Sequence, residues 1–135
     1  MSITPRKKLT VLLATVGAAG ALAACGEQKI EVAADAPAPV EEGAQLFYER
    51  CSGCHTLTAA ASEGSARSVH DVERVDGPNF DQRKETKDQV LYAIRNGGFS
   101  GAIMPQNIVV GEEADAVAEF VAEYSGRDAQ TPAAP

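Results

Sequence analysis

Apolar residues recur at helical spacing in three stretches of the chain, and no stretch shows the alternation of apolar and polar residues that marks a half-buried strand. The first predicted helix covers residues 41–51 and has acidic residues in its first turn. The second begins at Thr86, where Thr86-Lys87-Asp88-Gln89 fits a capping box, and stops at Gly97-Gly98. The third covers residues 112–124. The pattern predicts an all-α domain.

Residues 1–24 have the pattern of a secretory signal. A basic cluster at residues 6–8 precedes the apolar run 9–24, which is shorter than the about 20 apolar residues of a membrane span. The run ends in Leu22-Ala23-Ala24-Cys25-Gly26, which resembles the lipobox of bacterial lipoproteins, where the Cys is acylated and becomes the new N-terminus. We therefore predict a lipoprotein signal peptide over residues 1–24 and a lipid on Cys25. The alternative is an ordinary cleaved signal or an uncleaved anchor, with Cys25 as a bystander thiol.

The rest of the chain divides into a tether, one folded domain and a tail. Residues 25–40 are rich in Ala and Pro, show no apolar period and are predicted to form an extended tether behind the lipidated Cys25. All aromatic residues lie between Phe47 and Tyr124, which places the folded domain at residues 41–126. Residues 127–135 are small and polar, end in Pro and are predicted to be a disordered tail.

Composition narrows the class of protein. Aromatic residues make up 5% of the chain and Trp is absent, which is little for a core of this size, so something other than side chains is expected to fill part of it. The formal net charge is −7 and no basic stripe exists. Because contact with phosphates needs a basic face, this charge argues against a nucleic-acid binder.

The strongest chemical signal is the pentapeptide Cys51-Ser52-Gly53-Cys54-His55. A C-x-x-C-H string is the attachment motif of c-type haem. Thiols three residues apart point the same way from one helical turn, so both can add to the vinyl groups along one edge of a porphyrin. The imidazole of His55 then reaches the iron from the proximal side. We therefore predict one covalently attached haem c on Cys51 and Cys54, with His55 as an iron ligand.

Three other chemistries use residues of the same types. A zinc site needs four N or S donors, and the chain beyond Cys25 offers only Cys51, Cys54, His55 and His70. A thioredoxin-like dithiol needs a strand, helix and strand context that the pattern lacks. A plain disulfide would leave His55 without a role.

Across residues 43–126, which include this motif, the chain resembles the class I cytochromes c. Gly77-Pro78-Asn79 is similar to that family's Gly-Pro turn, whose Pro carbonyl accepts a hydrogen bond from the proximal imidazole. Gly43 and Phe47 are similar to the pair by which the N-terminal helix crosses the C-terminal one, with Val117 and Phe120 as counterparts. The resemblance implies the cytochrome c fold, with three to four helices wrapped around one covalently attached haem.

The same resemblance implies a distal ligand. The segment 92–98 followed by Ala102-Ile103-Met104-Pro105 is similar to the helix and loop that bring the distal Met in that family. A lone Met is more often a core filler, but Met104 lies in a Gly-rich loop before a Pro and is the only Met after the signal. A thioether is a soft ligand that needs no deprotonation. His70, in the long loop 56–76, is expected to be a solvated residue, with distal ligation or a metal role as the alternative.

The resemblance implies an electron-transfer protein and not an enzyme. We expect a membrane-tethered carrier that uses haem c to shuttle single electrons between respiratory-type complexes, its donor and acceptor, on the outer face of the bacterial cytoplasmic membrane. One alternative is a haem subunit of a larger oxidoreductase complex. Another is a small-ligand-binding or peroxidatic haem protein, if the distal site opens.

Overall fold

Three α-helices, one short 3-10 helix and one small hairpin make up the regular structure in the residues that the computed structural model describes, which are 29–66, 73, 75–99 and 103–127. In chain order the elements are α1 (Ala38–Cys51), β1 (Thr56–Leu57), a 3-10 helix (Thr58–Ala60), β2 (Ser62–Glu63), α2 (Lys87–Asn96) and α3 (Glu112–Tyr124). The predicted all-α class is confirmed. Within the described ranges, no helix has the length and apolar content needed to cross a membrane.

The crossing of α1 and α3 forms the centre of the fold. A Cβ on Gly43 would lie 2.6 Å from the carbonyl carbon of Ala116 and 2.9 Å from Cβ of Phe120, so only glycine permits this approach of the two backbones. The ring of Phe47 meets the ring of Phe120 edge-on, with centroids 6.0 Å apart. Val117 is buried in the same interface. The expected crossing through Gly43 and Phe47 is confirmed.

Helix α2 has the predicted ends. The hydroxyl of Thr86 accepts a hydrogen bond from the backbone N–H of Gln89, and the side chain of Gln89 accepts one from the backbone N–H of Thr86. This capping box satisfies two donors at the helix start. At the other end Gly97 has φ 74°, a left-handed conformation that glycine adopts without strain. The helix packs against α3, and Lys87 Nζ lies 2.7 Å from Glu119 Oε1.

Helix α1 begins earlier than the predicted residue 41. Its N-cap is Pro37, and Pro39 lies in the first turn, where the missing N–H of proline costs nothing because such groups lack an intrahelical partner. Val40, in the same turn, is buried. The helix start therefore belongs to the folded domain, although the composition of residues 25–40 predicted a tether.

The described part of the predicted tether, residues 29–37, lies against the domain. We call this segment the strap. The N–H of Glu31 donates to Ala59 O at 2.8 Å, and the N–H of Ala33 donates to the hydroxyl oxygen of Tyr124 at 2.7 Å. Ile30 and Val32 are half-buried and pack against the core. Two apolar residues separated by one polar residue are too short a pattern to predict this docking from the sequence. The signal peptide and Cys25 lie outside the described residues.

Two further details differ from the sequence analysis. β1 and β2 pair antiparallel, with Thr56 opposite Glu63 and Leu57 opposite Ser62, although no strand was predicted. Strands of two residues carry no detectable period, so pattern analysis misses them. Arg127, predicted to begin the tail, lies with its guanidinium 3.9 Å from the centre of the Tyr124 ring. The remainder of the tail lies outside the described residues.

Candidate functional site

A cavity of about 490 Å³ opens between the helices, and all five residues predicted to hold the cofactor line it. These are Cys51, Cys54, His55, Pro78 and Met104. The volume falls within the roughly 300 to 1,000 Å³ of cofactor and small-molecule sites. Most of the remaining lining is apolar and comes from all three helices and the segments between them, including Phe47, Phe80, Val90, Ile94, Ile108, Val117 and Val121. The cavity is the space that a cofactor would fill in a core with few aromatic side chains.

The two thiols come together at the end of α1. That helix ends at Cys51, and the next turn continues with hydrogen bonds from the backbone N–H groups of Cys54 and His55 to Cys51 O, at 3.1 and 3.0 Å. Both thiols are free and half-buried. Burial, and secondarily the neighbouring Cys54, raises the pKa of Cys51 to about 11, so it is a neutral thiol at physiological pH. Two free thiols beside an apolar cavity fit the formation of two thioether bonds.

The imidazole of His55 is held in one orientation. Its Nδ1 lies 3.1 Å from the carbonyl oxygen of Pro78, which can only accept, so Nδ1 carries the proton and Nε2 keeps a free lone pair. Burial lowers the pKa of His55, with the Pro78 bond acting in the opposite direction, so the ring is neutral at physiological pH. A neutral ring with a free Nε2 is the form that binds a metal. Among the described residues, no group of three His, Cys, Asp or Glu side chains is placed to hold a metal ion.

Gly77 provides the space for that ring. A Cβ at this position would lie 2.5 Å from Nδ1 and 2.8 Å from Nε2 of His55. The backbone N–H of Gly77 donates to Cys54 O at 2.6 Å, which brings the Gly-Pro turn against the haem motif. The predicted contact between Pro78 and His55 therefore depends on a glycine immediately before the proline.

Met104 reaches the cavity from the loop after α2. The backbone N–H of Asn107 donates to Ile94 O at 2.8 Å, which ties this loop to the last turn of the helix. A Cβ on Gly97 would lie 2.7 Å from Met104 O, so the left-handed Gly97 also allows the loop to close on the helix end. Met104 is half-buried beside the core. Met104, the predicted distal ligand, therefore lines the cavity. His70 lies outside the described residues.

The mouth of the cavity is apolar with charged groups of both signs beside it. Val75, Phe99 and Ile103 line the cavity and are 47%, 61% and 48% exposed. The charged residues that line it are Arg50, Asp76, Arg83 and Glu85, and Arg83 is ion-paired with Glu85. The position of Arg50 directly before Cys51 in the chain was a signal that the sequence analysis did not use.

The β1–β2 hairpin, which follows the haem motif, packs against the motif and forms hydrogen bonds with it. The sequence analysis did not predict these hairpin residues as part of the site. The hydroxyl of Ser62 and the N–H of Gly64 both donate to His55 O. A Cβ on Gly64 would lie 2.7 Å from Cys54 N, so the hairpin backbone packs directly on the motif. Ser62 is fully buried. No motif in the sequence marked these contacts, because they join residues of a loop without periodic pattern.

Comparison with known proteins agrees with this geometry. A family model described as cytochrome C oxidase, cbb3-type, subunit III matches residues 38–121. Cytochrome c-551 of Bacillus subtilis (strain 168) is 28% identical over 125 residues, covering 87% of this chain and 97% of that protein. The crystal structure of the c-type cytochrome SorU from Sinorhizobium meliloti has 34% sequence identity and a TM-score of 0.52, covering 65% of this chain and 92% of that one.

The fold and the cavity, taken with these likenesses, define a class I c-type cytochrome, a haem-based electron-transfer protein. The chain belongs to the cytochrome c family of the cbb3 type, since the family match spans α1, α2 and most of α3. Membership implies one covalent haem c, and the residues present fit that group: two free thiols in a C-x-x-C-H motif, a neutral imidazole and a thioether around an apolar cavity.

Proposed function

We propose that this cytochrome carries single electrons between membrane redox complexes of respiratory type, while a lipid on Cys25 holds it at the outer face of the bacterial cytoplasmic membrane. The observation that carries the redox part is the convergence of Cys51, Cys54, His55 and Met104 on one cavity. When bound, haem c supplies one-electron exchange at its iron. Thioether bonds from the two cysteines would hold the cofactor, and His55 and Met104 would be ligands of its iron.

The chain's own residues favour electron exchange over substrate chemistry in this proposal. Pro78 O orients the imidazole of His55 and increases its basicity through the Nδ1 hydrogen bond. Met104 keeps water and small ligands from the distal side, and Met/His ligation raises the potential of a haem. With the iron held by both His55 and Met104, little would have to rearrange between the two oxidation states.

The mouth of the cavity suits transient contact with a redox partner. Exposed apolar side chains at Val75, Phe99 and Ile103 bring a partner close to the cofactor edge without binding it strongly. The charges beside them are mixed, because Asp76 and Glu85 line the cavity together with Arg50 and Arg83, and Arg83 Nε lies 2.5 Å from Glu85 Oε1. Charged groups at such a mouth steer encounters more than they increase affinity. A donor or acceptor with an apolar surface around its own cofactor fits this mouth.

The docked strap supports a short connection to the membrane. With a lipid on Cys25 and Ile30 on the domain, five residue steps separate the anchor from the packed chain, at most about 18 Å when fully extended. The domain would therefore stay close to the membrane surface. This restriction also favours a second candidate function, that of a fixed haem subunit of a larger membrane oxidoreductase, and co-purification with a membrane complex would distinguish it from a free carrier.

The ligand assignment is tested by Met104→Ala in the holoprotein, using redox-titrated visible spectra and carbon monoxide binding. Loss of the soft thioether leaves water or a harder base at the iron, so the potential falls and the ferrous protein binds carbon monoxide. The paired control His70→Ala is expected to change neither. If Met104→Ala matches the parent while His70→Ala alters both readouts, His70 is the distal ligand and the assignment is wrong.

The anchor is tested by Cys25→Ser, followed by labelled fatty-acid incorporation and membrane fractionation. The variant is expected to lose the label and leave the membrane fraction while keeping the haem spectrum, because the folded domain begins beyond this position. Unchanged labelling would contradict a lipid on Cys25. A parent protein that carries no label but stays in the membrane fraction would favour an uncleaved anchor.

A further inference from the structure

Two segments of the chain, residues 54–58 and 77–81, lie side by side in parallel next to the haem motif. We call them the proximal ladder, because hydrogen bonds join them like rungs. The rungs are Gly77 N to Cys54 O at 2.6 Å, His55 Nδ1 to Pro78 O at 3.1 Å and Phe80 N to Thr56 O at 2.8 Å. The bond that orients His55 is therefore one rung of this ladder. Its geometry depends on the register in which the two segments pair.

A buried carboxylate closes the far end of the proximal ladder. Asp81 accepts hydrogen bonds from both donors of Thr58, the backbone N–H at 2.9 Å and the hydroxyl at 2.7 Å. Its own N–H donates to the side chain of Asn79 at 2.9 Å. Asp81 is 8% exposed, whereas Thr58 lies at the surface. Hydrogen bonds to a charged acceptor are stronger than neutral ones, so this pair holds more firmly than a backbone rung.

Asp81 does not line the haem cavity, so apart from its charge it acts on the site only through its neighbours. Its neighbour Phe80 does line the cavity. The two hydrogen bonds of Asp81 to Thr58 connect residue 81 to the chain three residues beyond His55. We call the two hydrogen bonds between Asp81 and Thr58 the clamp. If the clamp opens, residues 77–81 can move away from residues 54–58, and the Pro78 carbonyl loses its alignment with His55 Nδ1.

We propose that Asp81, acting through Thr58, is a positioning residue for the proximal imidazole. The clamp keeps the register of the proximal ladder and so maintains the hydrogen bond that orients His55 and increases its basicity. The inference rests on the proposed ligation of iron by His55. A more basic imidazole favours the ferric state, so opening the clamp raises the reduction potential.

The experiment uses the holoprotein and two readouts, hydrogen exchange of the His55 Nδ1 proton in the ferrous form by NMR, and the reduction potential. Asp81→Ala removes both acceptors, and Thr58→Val removes the hydroxyl while leaving the carboxylate in place. Each is expected to accelerate Nδ1 exchange, roughly tenfold for Asp81→Ala because two charge-assisted bonds are lost, and to raise the potential.

Conservative variants separate positioning from charge and from general destabilisation. Asp81→Asn can keep both contacts, since its amide oxygen accepts from the Thr58 N–H and its amide N–H donates to the hydroxyl. It should exchange nearly as slowly as the parent, with any rise in potential due to the lost charge alone. Thr58→Ser should restore both readouts. Tyr124→Phe, which removes a hydrogen bond of a residue that does not line the cavity, should alter stability but neither readout.

The proposal is overturned if Asp81→Ala and Thr58→Val lower the melting temperature but match Asp81→Asn and Thr58→Ser in exchange and potential. If Asp81→Ala yields no holoprotein, the Thr58→Val and Thr58→Ser pair decides between the same outcomes. A failure of the proposed ligation is seen separately, because His55 resonances of the parent would then lack the large shifts of an iron-bound ring. Nδ1 exchange still reports on the clamp in that case.

Discussion

The substitution Gly43→Ala tests whether the close approach of α1 and α3 holds the fold together. An added Cβ would lie 2.6 Å from the carbonyl carbon of Ala116 and 2.9 Å from Cβ of Phe120. Neither atom belongs to the flexible end of a side chain, so no rotamer change can relieve the contact. Ordinary contact between carbon atoms is about 3.5 to 4.0 Å, and the helices must therefore separate by roughly 1 Å.

That separation lowers the free energy of unfolding. A gap of about 0.5 to 1 Å removes a quarter to a half of the dispersion attraction between the atoms on its two sides. Overpacking typically destabilises by about 1 to 3 kcal/mol, and a backbone clash belongs at the upper end. Alanine in a helix gains about 1 kcal/mol over glycine, which leaves a net loss of about 2 kcal/mol. For a domain of this size that loss lowers the melting temperature by roughly 10 °C.

The assay is thermal and denaturant unfolding of the holoprotein, with Gly53→Ala as the matched control. A Cβ on Gly53 meets nothing within 4 Å, so the same chemical change is expected to have little effect there. If Gly43→Ala is as stable as the parent or more stable, helix propensity outweighs the clash and the argument from close approach is wrong. A comparable loss in Gly53→Ala would equally refute it.

Three further predictions follow from the structure. Replacing Cys51 or Cys54 by Ala leaves one thioether and should lower the yield of holoprotein. Acidic organic solvent should extract no haem from the parent, and extraction would contradict covalent attachment. Tyr124→Phe removes the acceptor for the Ala33 N–H, so it should destabilise by about 1 kcal/mol and make the strap more sensitive to limited proteolysis, an outcome that unchanged cleavage would refute. Thr86→Ala breaks the capping box and should lower the free energy of unfolding by about 1 kcal/mol, and an unaltered denaturation midpoint would contradict it.

Local chemistry could be predicted from the sequence. The capping box at Thr86 and the glycine at the end of α2 act within one turn, so their residue types reveal the helix ends directly. The spacing of Cys51, Cys54 and His55 is likewise a local property of one helical turn. Pro78 and Met104 lie far from this motif in the chain, and they were assigned through resemblance to a family. In the structure, these two residues and the three of the motif all line one cavity.

The sequence by itself determined the three helices, apart from the start of α1, and the chemical nature of the cofactor site, because periodicity, caps and the C-x-x-C-H spacing are properties of neighbouring residues. Only the tertiary structure decided which residues support the site from a distance. The docking of the strap on Tyr124, the clamp between Asp81 and Thr58 and the packing of Gly43 on Ala116 each join parts of the chain that no local pattern links. Their energies depend on desolvation and close contact, which exist only once the chain has brought these distant residues together.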